Sequence, residues 1–580
     1  MNYQSRRLLK LNLAPWRMAA LGVLLLAGFV LVAARAFYLQ GLNTDYLQGK
    51  GDAVANRNLT LPAQRGQVTD RHGQLLAIST PVESLWARPA ELALSGAQRA
   101  HLARVLDVPS RELEQTLARK TRGEFSVRRP VTPEQAAKIT AMGVPGLHLR
   151  REFRRYYPAG EVAAHVVGFT NVDDLGQEGV ERAYQDWLAG RDGRRRIQRD
   201  RRGNTIRDIA PIKSAQIGGN LALSLDLNIQ YLAHRELAAA IKQHKAKGGS
   251  VVVLDAKTGE ILALANQPIF NPNNRRNYQP GPMRNRAVID TFEPGSTVKP
   301  FVAAAVLERG LFSPGSVIET PATWRVGSKL VRDVHHYPQM TVSEIIQKSS
   351  NVGAVKMAMA LTPQQFWEVL HRSGFGEQPG SGFPGETAGR LRDASTWKPV
   401  EHATMAYGYG MSVSLLQLAR AYMAFANDGE VMPLSFLKRE PQEIVGERVF
   451  SPHVAREVRA MMEAVTQEGG TGRRTRVPGY RVAGKTGTAH KLVDGRYAPD
   501  RYLSSFVGMA PASDPRLIIG VVIDEPSDGT YYGGSVAGPV FAQVMAASLR
   551  QLALPPDEPD AATRMTESRP KTPVRRGEGA

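Results

Sequence analysis

A long apolar segment near the N-terminus places the strongest single constraint on this chain of 580 residues. Residues 18–34 carry no charge and consist mostly of Ala, Leu, Val, Gly and Phe, and the apolar pattern continues beyond Arg35 to Leu39. About 20 residues of helix, at 1.5 Å per residue, cross the hydrocarbon core of a bilayer. We therefore predict one transmembrane anchor over residues 18–39, preceded by a cytoplasmic segment over residues 1–17.

Charges around this segment predict its orientation. No acidic residue occurs before Asp45, and four basic residues precede the apolar run: Arg6, Arg7, Lys10 and Arg17. Because positive charge stays on the cytoplasmic side, the bulk of the chain is expected outside, as a single-pass membrane protein. A cleaved signal peptide is the alternative, since Ala34-Arg35-Ala36 has the A-x-A form. The apolar region is longer than usual for a signal peptide and a charge lies in the triplet, which favours the anchor.

Composition excludes some kinds of chemistry. The chain has no Cys, so it has neither a thiolate nucleophile nor a cysteine metal site. Its formal charge of +20 could indicate nucleic acid, but an exported chain would more readily meet anionic lipid or wall polymer. Eight Arg between residues 191 and 207, interrupted by two Asp, could also form a nucleic-acid patch. We favour a solvated ribbon there and predict no nucleic-acid partner.

The chain divides by character near Gly218. Residues 41–215 are polar and irregular and are predicted to form a mixed α/β pedestal domain. Residues 216–555 contain strand patterns at both ends with helices between them, which indicates one antiparallel sheet in an α+β domain. The predicted strands are 250–255, 260–264, 505–510 and 517–523, and the predicted closing helix is 539–552. Residues 556–580 are rich in Pro, Arg and Glu without periodicity and are predicted to be a disordered tail.

One short motif suggests a catalytic serine. Pro294 and Gly295 form a turn before an apolar run that ends at Gly310, so Ser296 should lie near a helix N-terminus. Lys299 follows three residues later on the same helix face, where a buried neutral amine could accept the hydroxyl proton. The helix N-terminus would also favour a developing oxyanion. The S-x-x-K motif alone is weak evidence for catalysis, because an N-capping Ser followed by an exposed Lys has the same sequence pattern.

Two later motifs strengthen this interpretation. Ser349 and Asn351 offer a second hydroxyl and an amide able to hold a peptide backbone. A K-T-G-T run supplies a positive charge, two hydroxyls and a residue without a side chain at which a substrate could approach a strand: Lys485, Thr486, Gly487 and Thr488. All three motifs in this order are far less expected by accident than any one of them.

Together these motifs resemble the penicillin-recognising acyl-serine enzymes, and the chain is similar to class B penicillin-binding proteins over residues 1 to 555. The anchor and the pedestal motifs carry the class B resemblance, namely Arg65-Gly66 with Asp70-Arg71-His72-Gly73, and Tyr157-Pro158 with Gly168-Phe169. Other motifs resemble the septal, cell-division branch, namely Phe292-Glu293-Pro294-Gly295-Ser296, Tyr407-Gly408-Tyr409-Gly410 and Gly533-Gly534 with Pro539-Val540-Phe541. The resemblance implies a transpeptidase-like domain, with a central antiparallel sheet flanked by helices, after a dimerisation-like pedestal. It also implies a bacterial inner-membrane protein whose catalytic domain is periplasmic.

The resemblance also implies roles for individual residues. Ser296 would be the nucleophile, Lys299 the base and Ser349 the proton relay to the leaving amine. Asn351 would hold the substrate amide and Lys485 would support Ser349. The remaining K-T-G-T residues would bind the substrate, with Thr486 and Thr488 on its carboxylate, Gly487 allowing its approach, and backbone N–H groups of Ser296 and Thr488 forming an oxyanion hole. No cofactor and no metal are expected, although the His335-His336 pair could suggest one.

The implied activity is a D,D-transpeptidase that cross-links peptidoglycan stem peptides during septal wall synthesis, with β-lactams as covalent inhibitors. The donor would end in D-Ala-D-Ala, and the implied partners are a polytopic SEDS-type glycosyltransferase and other division proteins. Tyr407 and Tyr409 would either line the cleft or pack below it, and His490 departs from the Gln, Arg or Lys common in relatives. Two alternatives stay open: a carboxypeptidase or β-lactam hydrolase with water as the acceptor, and a non-catalytic scaffold or drug sensor.

Overall fold

The computed structural model describes residues 14–46, 56–118, 123–199, 205–274, 279–440 and 444–558. The predicted cytoplasmic segment lies largely outside these residues, as do part of the arginine-rich run and nearly all of the predicted disordered tail. The predicted domain boundaries at residues 215 and 555 stay predictions.

The apolar segment near the N-terminus is a single long helix, Pro15–Phe37, continued by a π-helical turn, Tyr38–Leu42. Its side chains are exposed rather than buried against the rest of the chain. Among the described residues it is the one helix long and apolar enough to cross a membrane. The helix agrees with the predicted anchor over residues 18–39.

One compact unit comprises the described residues within 1–63, 82–152 and 191–216. Its small core gathers Leu85, Leu102 and Ile139 from a strand and two helices. The unit contains the helices Gly96–Val105, Ser110–Ala118 and Pro133–Ala141, the strand Phe125–Val131, and a three-stranded antiparallel sheet of Asn56–Leu61, Gly193–Arg199 and Thr205–Lys213. Arg194 and Arg196 are exposed on this sheet, as expected of a solvated ribbon.

The second unit comprises residues 64–81, residues 153–190 and the described residues from 217 to 558. In its N-terminal part, Arg65 and Arg155 both bond the carboxylate of Glu181, each through Nε at 2.6 Å. All three side chains are essentially inaccessible to water. The short elements of this part are the strands Val68–Thr69 and Leu221–Ala222 and the helices Ala164–Val167, Gly179–Ala183 and Gln185–Leu188. The strands Leu75–Ala87 and Leu147–Tyr156 each have residues assigned to both units.

A five-stranded antiparallel sheet forms the centre of the second unit. Its strands are β1 (Gly248–Asp255), β2 (Ile261–Gln267), β3 (Ala483–Val493), β4 (Arg496–Ala510) and β5 (Leu517–Asp524). They lie in the order β2-β1-β5-β4-β3, which leaves β3 at an edge. The buried Val, Ile, Leu and Phe side chains of these strands belong to two hydrophobic clusters. The predicted α+β fold with a central antiparallel sheet is confirmed.

Helices cover both faces of this sheet. They are Leu227–Gln243, Lys299–Glu308, Val342–Lys348, Asn351–Met359, Pro363–Arg372, Pro399–Met405, Leu415–Ala421, Pro452–Thr466 and Gly533–Gln551, with shorter turns at Pro280–Met283, Arg286–Ile289 and Met423–Ala426. Outlying two-stranded pairs are Val317–Glu319 with Gln339–Thr341, Thr323–Val326 with Lys329–Arg332, and Glu430–Val431 with Glu447–Arg448.

The last helix begins six residues before the predicted start at residue 539, at Gly533, and Pro539 lies inside it. A Cβ at Gly533 would stand 2.2 Å from the carbonyl oxygen of Gly487 and 2.3 Å from that of Ser505. The helix therefore begins where its backbone touches the sheet. Sequence periodicity cannot detect that contact. Pro539 suggested the first helical position, where a Pro is favoured, but it lies in the helix interior.

Candidate active site

Ser296 lies in a single turn of 3₁₀-helix, Gly295–Val298, immediately before the helix Lys299–Glu308. This is the helix N-terminus that the sequence predicted. Gly295 has φ of +59°, a left-handed conformation that glycine adopts without steric cost. Ser296 is half-buried and lines a cleft, and among the described residues its hydroxyl has no hydrogen-bond partner.

Neighbouring groups fix the backbone of this turn. Thr297 Oγ1 donates to the carbonyl of Pro294 at 2.8 Å, and the buried Tyr422 hydroxyl donates to the carbonyl of Thr297 at 2.8 Å. Gly408 packs against the turn so closely that a Cβ there would stand 2.1 Å from the carbonyl oxygen of Gly295. The nucleophile candidate is thus presented on a rigid backbone.

Lys299 is completely buried beneath the cleft. Its Nζ lies 2.5 Å from the carbonyl oxygen of Ser349, 3.2 Å from Ser349 Oγ and 2.8 Å from Asn351 Oδ1. We expected this amine to reach Ser296, but its hydrogen bonds go to the second motif instead. The carbonyl and the amide oxygen can only accept, so a neutral Lys299 amine can donate to both and accept from the Ser349 hydroxyl.

Burial lowers the pKa of Lys299 to about 7, although the negative charge of Asp333 opposes the shift. Desolvation disfavours an ammonium because its charge loses the hydration it has in water. Lys299 is therefore able to accept a proton near neutral pH.

Ser349 ends the helix Val342–Lys348 in a left-handed conformation, with φ of +62°. This kink turns the Ser349 hydroxyl toward the two lysines and lets Ser350 cap the next helix by accepting from Gly353 N at 2.9 Å. One helix ends at Ser349 and the next begins at Asn351, and the side chains of both residues therefore reach Lys299 Nζ.

Asp333 holds the start of the second helix. Its carboxylate accepts from Ser350 Oγ at 2.5 Å, from Val352 N at 3.1 Å and also from the backbone N–H of Asn351. Sequence analysis did not single out Asp333, since a lone Asp in a polar loop carries no signal of its own. Asp333 lies 18 residues before Asn351 in the sequence, and only the folded chain brings its carboxylate to the start of this helix.

Lys485 approaches Ser349 from the sheet. It lies on β3, is completely buried, and its Nζ is 2.9 Å from Ser349 Oγ. Burial, and then the nearby charge of Lys299, hold the pKa of Lys485 well below its usual value. Two buried amines around one hydroxyl repel each other when both are charged, so the charge of Lys299 disfavours protonation of Lys485.

The rest of the K-T-G-T run lies on β3, the edge strand of the sheet. Thr486 Oγ1 is 2.8 Å from the hydroxyl of Thr471, and Thr488 Oγ1 accepts from Gly533 N at 3.0 Å. Gly487 is buried, and a Cβ there would stand 2.3 Å from Ser505 Oγ. Thr471 belongs to the glycine-rich run Gly469-Gly470-Thr471-Gly472, which the sequence analysis did not single out. It joins the site because that loop folds over β3.

These residues surround a cleft of about 890 Å³. Of the predicted site residues, Lys299, Lys485 and Gly487 lie behind its wall, and the others line it: Ser296, Ser349, Asn351, Tyr407, Tyr409, Thr486 and Thr488. The two tyrosine rings contact each other, with centroids 5.6 Å apart. His490 also lines the cleft, and its backbone N–H donates to the Tyr409 hydroxyl at 3.1 Å.

Comparison with known protein families agrees with this geometry. The penicillin binding protein transpeptidase domain matches residues 249–546, and the penicillin-binding protein dimerisation domain matches residues 60–223. The chain belongs to the penicillin-binding proteins. The predicted family and its enzyme class, a serine-type transpeptidase, are confirmed, and all three predicted motifs lie within the transpeptidase match.

Individual relatives extend over nearly the whole chain. A probable peptidoglycan D,D-transpeptidase, PenA, of Neisseria gonorrhoeae is 44% identical over 94% of this chain and 93% of its own length. The peptidoglycan D,D-transpeptidase FtsI of Escherichia coli is 41% identical over 98% of this chain and 96% of its own. Among solved structures, penicillin-binding protein 3 of Mycobacterium tuberculosis, in complex with aztreonam, is 30% identical with a TM-score of 0.68 and covers 86% of this chain and 99% of that one.

Proposed function

We propose that this penicillin-binding protein is a membrane-anchored peptidoglycan D,D-transpeptidase that works through an acyl-enzyme on Ser296. One observation carries the proposal. Two completely buried lysines, Lys299 and Lys485, both reach the hydroxyl of Ser349 at the wall of the cleft that Ser296 lines. A hydroxyl between two amines is suited to moving a proton in either direction, which acyl transfer requires twice.

The donor is a stem peptide that ends in D-Ala-D-Ala. Its strand would lie along the edge of β3, beside Thr486 and Thr488, which line the cleft. Gly487 serves a different purpose there, because a Cβ would meet Ser505 and Thr297 behind the cleft wall. Thr486 and Thr488 would bind the terminal carboxylate, and the Asn351 amide would hold the peptide group before the scissile bond. Backbone N–H groups of Ser296 and Thr488 would face the oxyanion, a contribution typically worth ~10²–10³ in rate per donor.

Acylation then needs a base and an acid. Neutral Lys299 takes the proton from Ser296 Oγ as the oxygen attacks the penultimate D-Ala carbonyl. The Ser349 hydroxyl, beside Lys485, gives its proton to the departing amine and regains one from the protonated Lys299, as the C–N bond breaks and free D-Ala leaves. The product is an ester on Ser296.

An amine of a neighbouring stem peptide completes the transfer. It attacks the ester, the C–O bond to Ser296 breaks, and the amine's proton returns to the serine oxygen through the same groups. A new amide then cross-links two strands. β-Lactams would acylate Ser296 in the same way and stay attached.

The cellular setting is proposed on separate grounds. The helix Pro15–Phe37 would cross the inner membrane once, with the N-terminus in the cytoplasm because basic residues precede it. Similarity to FtsI of E. coli and the motifs of the septal branch support action at the division septum, beside a polytopic SEDS-type glycosyltransferase and other division proteins.

Labelling of the purified full chain with a fluorescent penicillin tests this proposal. We expect stable labelling of the wild type and none of Ser296→Ala, with matching thermal unfolding for the two proteins. Rapid loss of the label would indicate a hydrolase, and no labelling of a folded wild type would favour a non-catalytic scaffold. For the septal role, a fluorescent fusion should gather at the division site, and uniform wall labelling would contradict it.

A further inference from the structure

The three-stranded sheet of the first compact unit carries positive charge on one of its faces. Arg194 and Arg196 are two positions apart on the strand Gly193–Arg199, so their side chains leave the same face of the sheet. Lys213, in the neighbouring strand, is the direct antiparallel partner of Arg194 and therefore lies on that face as well. The side chains of all three are exposed, whereas Ile197, which belongs to the opposite face, is buried. We call Arg194, Arg196 and Lys213 the cationic face.

The charge of the cationic face is not compensated by ion pairs within the protein. Among the described residues, no side-chain hydrogen bond and no ion pair involves Arg194, Arg196 or Lys213. Asp192 is the described acidic residue closest in sequence to Arg194, and its Oδ1 accepts from the backbone N–H of Ala63 at 2.8 Å. The cationic face therefore keeps a net positive charge, which is available to an anion from outside the chain.

The length of the chain before the sheet keeps the cationic face near the membrane. The apolar anchor and its π-helical turn end at Leu42, and the first strand of the sheet begins at Asn56. The connection between these two residues spans at most roughly 50 Å even when it is fully extended. Thr60 in this strand is the direct partner of Arg194. Contact between the cationic face and the bilayer that holds the anchor is therefore intramolecular, so a modest attraction per charge is sufficient to maintain it.

An exposed apolar side chain accompanies these cations. Ile212 directly precedes Lys213 and is 49% exposed. The pairing of the last two strands omits Ile212, since Arg194 pairs with Lys213 and the next residue pairs with Pro211. An extra residue of this kind forms a bulge in the strand. Cations beside an exposed apolar side chain are typical of protein surfaces at a bilayer interface, where an apolar layer lies below the head groups.

We propose that the cationic face binds anionic phospholipid head groups of the bilayer that holds the anchor. This contact fixes the first compact unit against the membrane surface, which the anchor alone does not do. The inference rests on the membrane anchoring in the proposed function and is independent of the reaction at Ser296. Each Lys or Arg near an anionic surface strengthens the contact roughly fivefold. The attraction falls off within a Debye length, about 8 Å at physiological ionic strength.

A single fluorescent label can report this contact, because the chain has no Cys of its own. Ser214→Cys places the label directly after Lys213, at an exposed position. The labelled full chain is reconstituted in nanodiscs of phosphatidylcholine alone, or of phosphatidylcholine and phosphatidylglycerol in equal parts. Both kinds of disc contain a trace of lipid with a quencher on its head group, and the measurement is the quenched fraction of the fluorescence.

We expect severalfold stronger quenching in the discs that contain phosphatidylglycerol, and a decrease at high salt because ions screen exposed charges. Arg194→Gln, Arg196→Gln and Lys213→Gln should each weaken the contact up to roughly fivefold, and the triple variant should quench as in phosphatidylcholine alone. Arg111→Gln is the matched control, since Arg111 is an exposed Arg of the same unit on the helix Ser110–Ala118, outside the sheet. This control should quench like the wild type.

Failure of the lipid contact can be told apart from failure of the proposed function. Equal quenching of the wild type in both kinds of disc would overturn the contact, and this result needs no variant to fold. Quenching that survives in a triple variant with unchanged thermal unfolding, or that falls equally in Arg111→Gln, would also overturn it. Failure of the wild type to float with lipid vesicles would overturn the anchoring, and the contact with it. Penicillin labelling of Ser296 tests the reaction separately and should be the same in the triple variant and the wild type.

Discussion

Lys485 Nζ lies 2.9 Å from Ser349 Oγ, although the two residues are 136 positions apart in the chain. The sheet brings Lys485 to this point on an edge strand, and the left-handed end of a helix turns Ser349 to meet it. Lys299 completes the arrangement from a third element. The proposed proton pathway depends on the meeting of these three elements.

The rate of acylation should depend on the protonation of Lys299. Because burial lowers the pKa of Lys299 to about 7, its amine is charged below that pH and neutral above it. Only the neutral amine can accept the Ser296 proton, so the rate should rise roughly tenfold from pH 6 to pH 8. Stopped-flow acylation by a chromogenic cephalosporin measures this. A flat profile, with the fold intact across the range by circular dichroism, would argue against Lys299 as the base.

Asp333→Asn should move that pH profile to lower pH. The negative charge of Asp333 raises the pKa of Lys299 against the effect of burial, so its removal lowers the pKa further. Asp393→Asn is the matched control, because Asp393 also caps a short helical turn but does not act on Lys299. An unchanged midpoint in Asp333→Asn, or an equal shift in the control, would contradict the assigned electrostatics.

Gly408→Ala should impair acylation and stability together. A Cβ at Gly408 would stand 2.1 Å from the carbonyl oxygen of Gly295, so the turn that carries Ser296 would have to move. We expect a loss of about 1–3 kcal/mol in stability and at least a tenfold slower acylation. Gly380→Ala separates this clash from backbone strain, since Gly380 also has positive φ but open space around it. Equal effects in both variants would show that the contact with the Ser296 turn is unimportant.

Glu181→Gln should strongly destabilise the protein. Glu181 is the shared partner of Arg65 and Arg155, and all three are buried, so the substitution leaves two buried guanidinium groups without their counter-charge. Breaking a buried pair typically costs about 3–5 kcal/mol. Thermal unfolding measures this, and Glu134→Gln, in an exposed pair with Lys138, should leave the midpoint unchanged. A Glu181→Gln protein as stable as the wild type would show that the cluster contributes little.

Much of the fold could be predicted from local patterns. The hairpin around residues 250–264, the strands near residue 510 and the helix after Ser296 are each marked by a continuous apolar run. Turn residues bound these runs, which makes the elements recognisable in the sequence. Strand patterns at both ends of the domain, with helices between them, predicted that these strands form one sheet. The start of the last helix was wrong, because a glycine contact across the sheet sets it rather than the helical pattern.

The sequence motifs predicted which residues belong to the site, but they did not predict the contacts between those residues. Ser296, Ser349 and Lys485 each belong to a short motif, whereas Asp333 and Thr471 belong to none and join the site only through folding. Sequence spacing suggested that Lys299 would bond Ser296, since the two share a helix face. The Lys299 amine instead bonds Ser349 and Asn351. Ser349 ends one helix and Asn351 begins the next, and both lie beside this amine.

Identification of the acylated residue tests the central claim most directly. The full chain is treated with benzylpenicillin, digested, and mapped by tandem mass spectrometry, beside Ser296→Ala and Ser349→Ala. The account predicts one penicilloyl group on Ser296 in the wild type, none in Ser296→Ala, and the same site reached more slowly in Ser349→Ala. An adduct on Ser349 or on any other residue, or an undiminished adduct in Ser296→Ala, would contradict it.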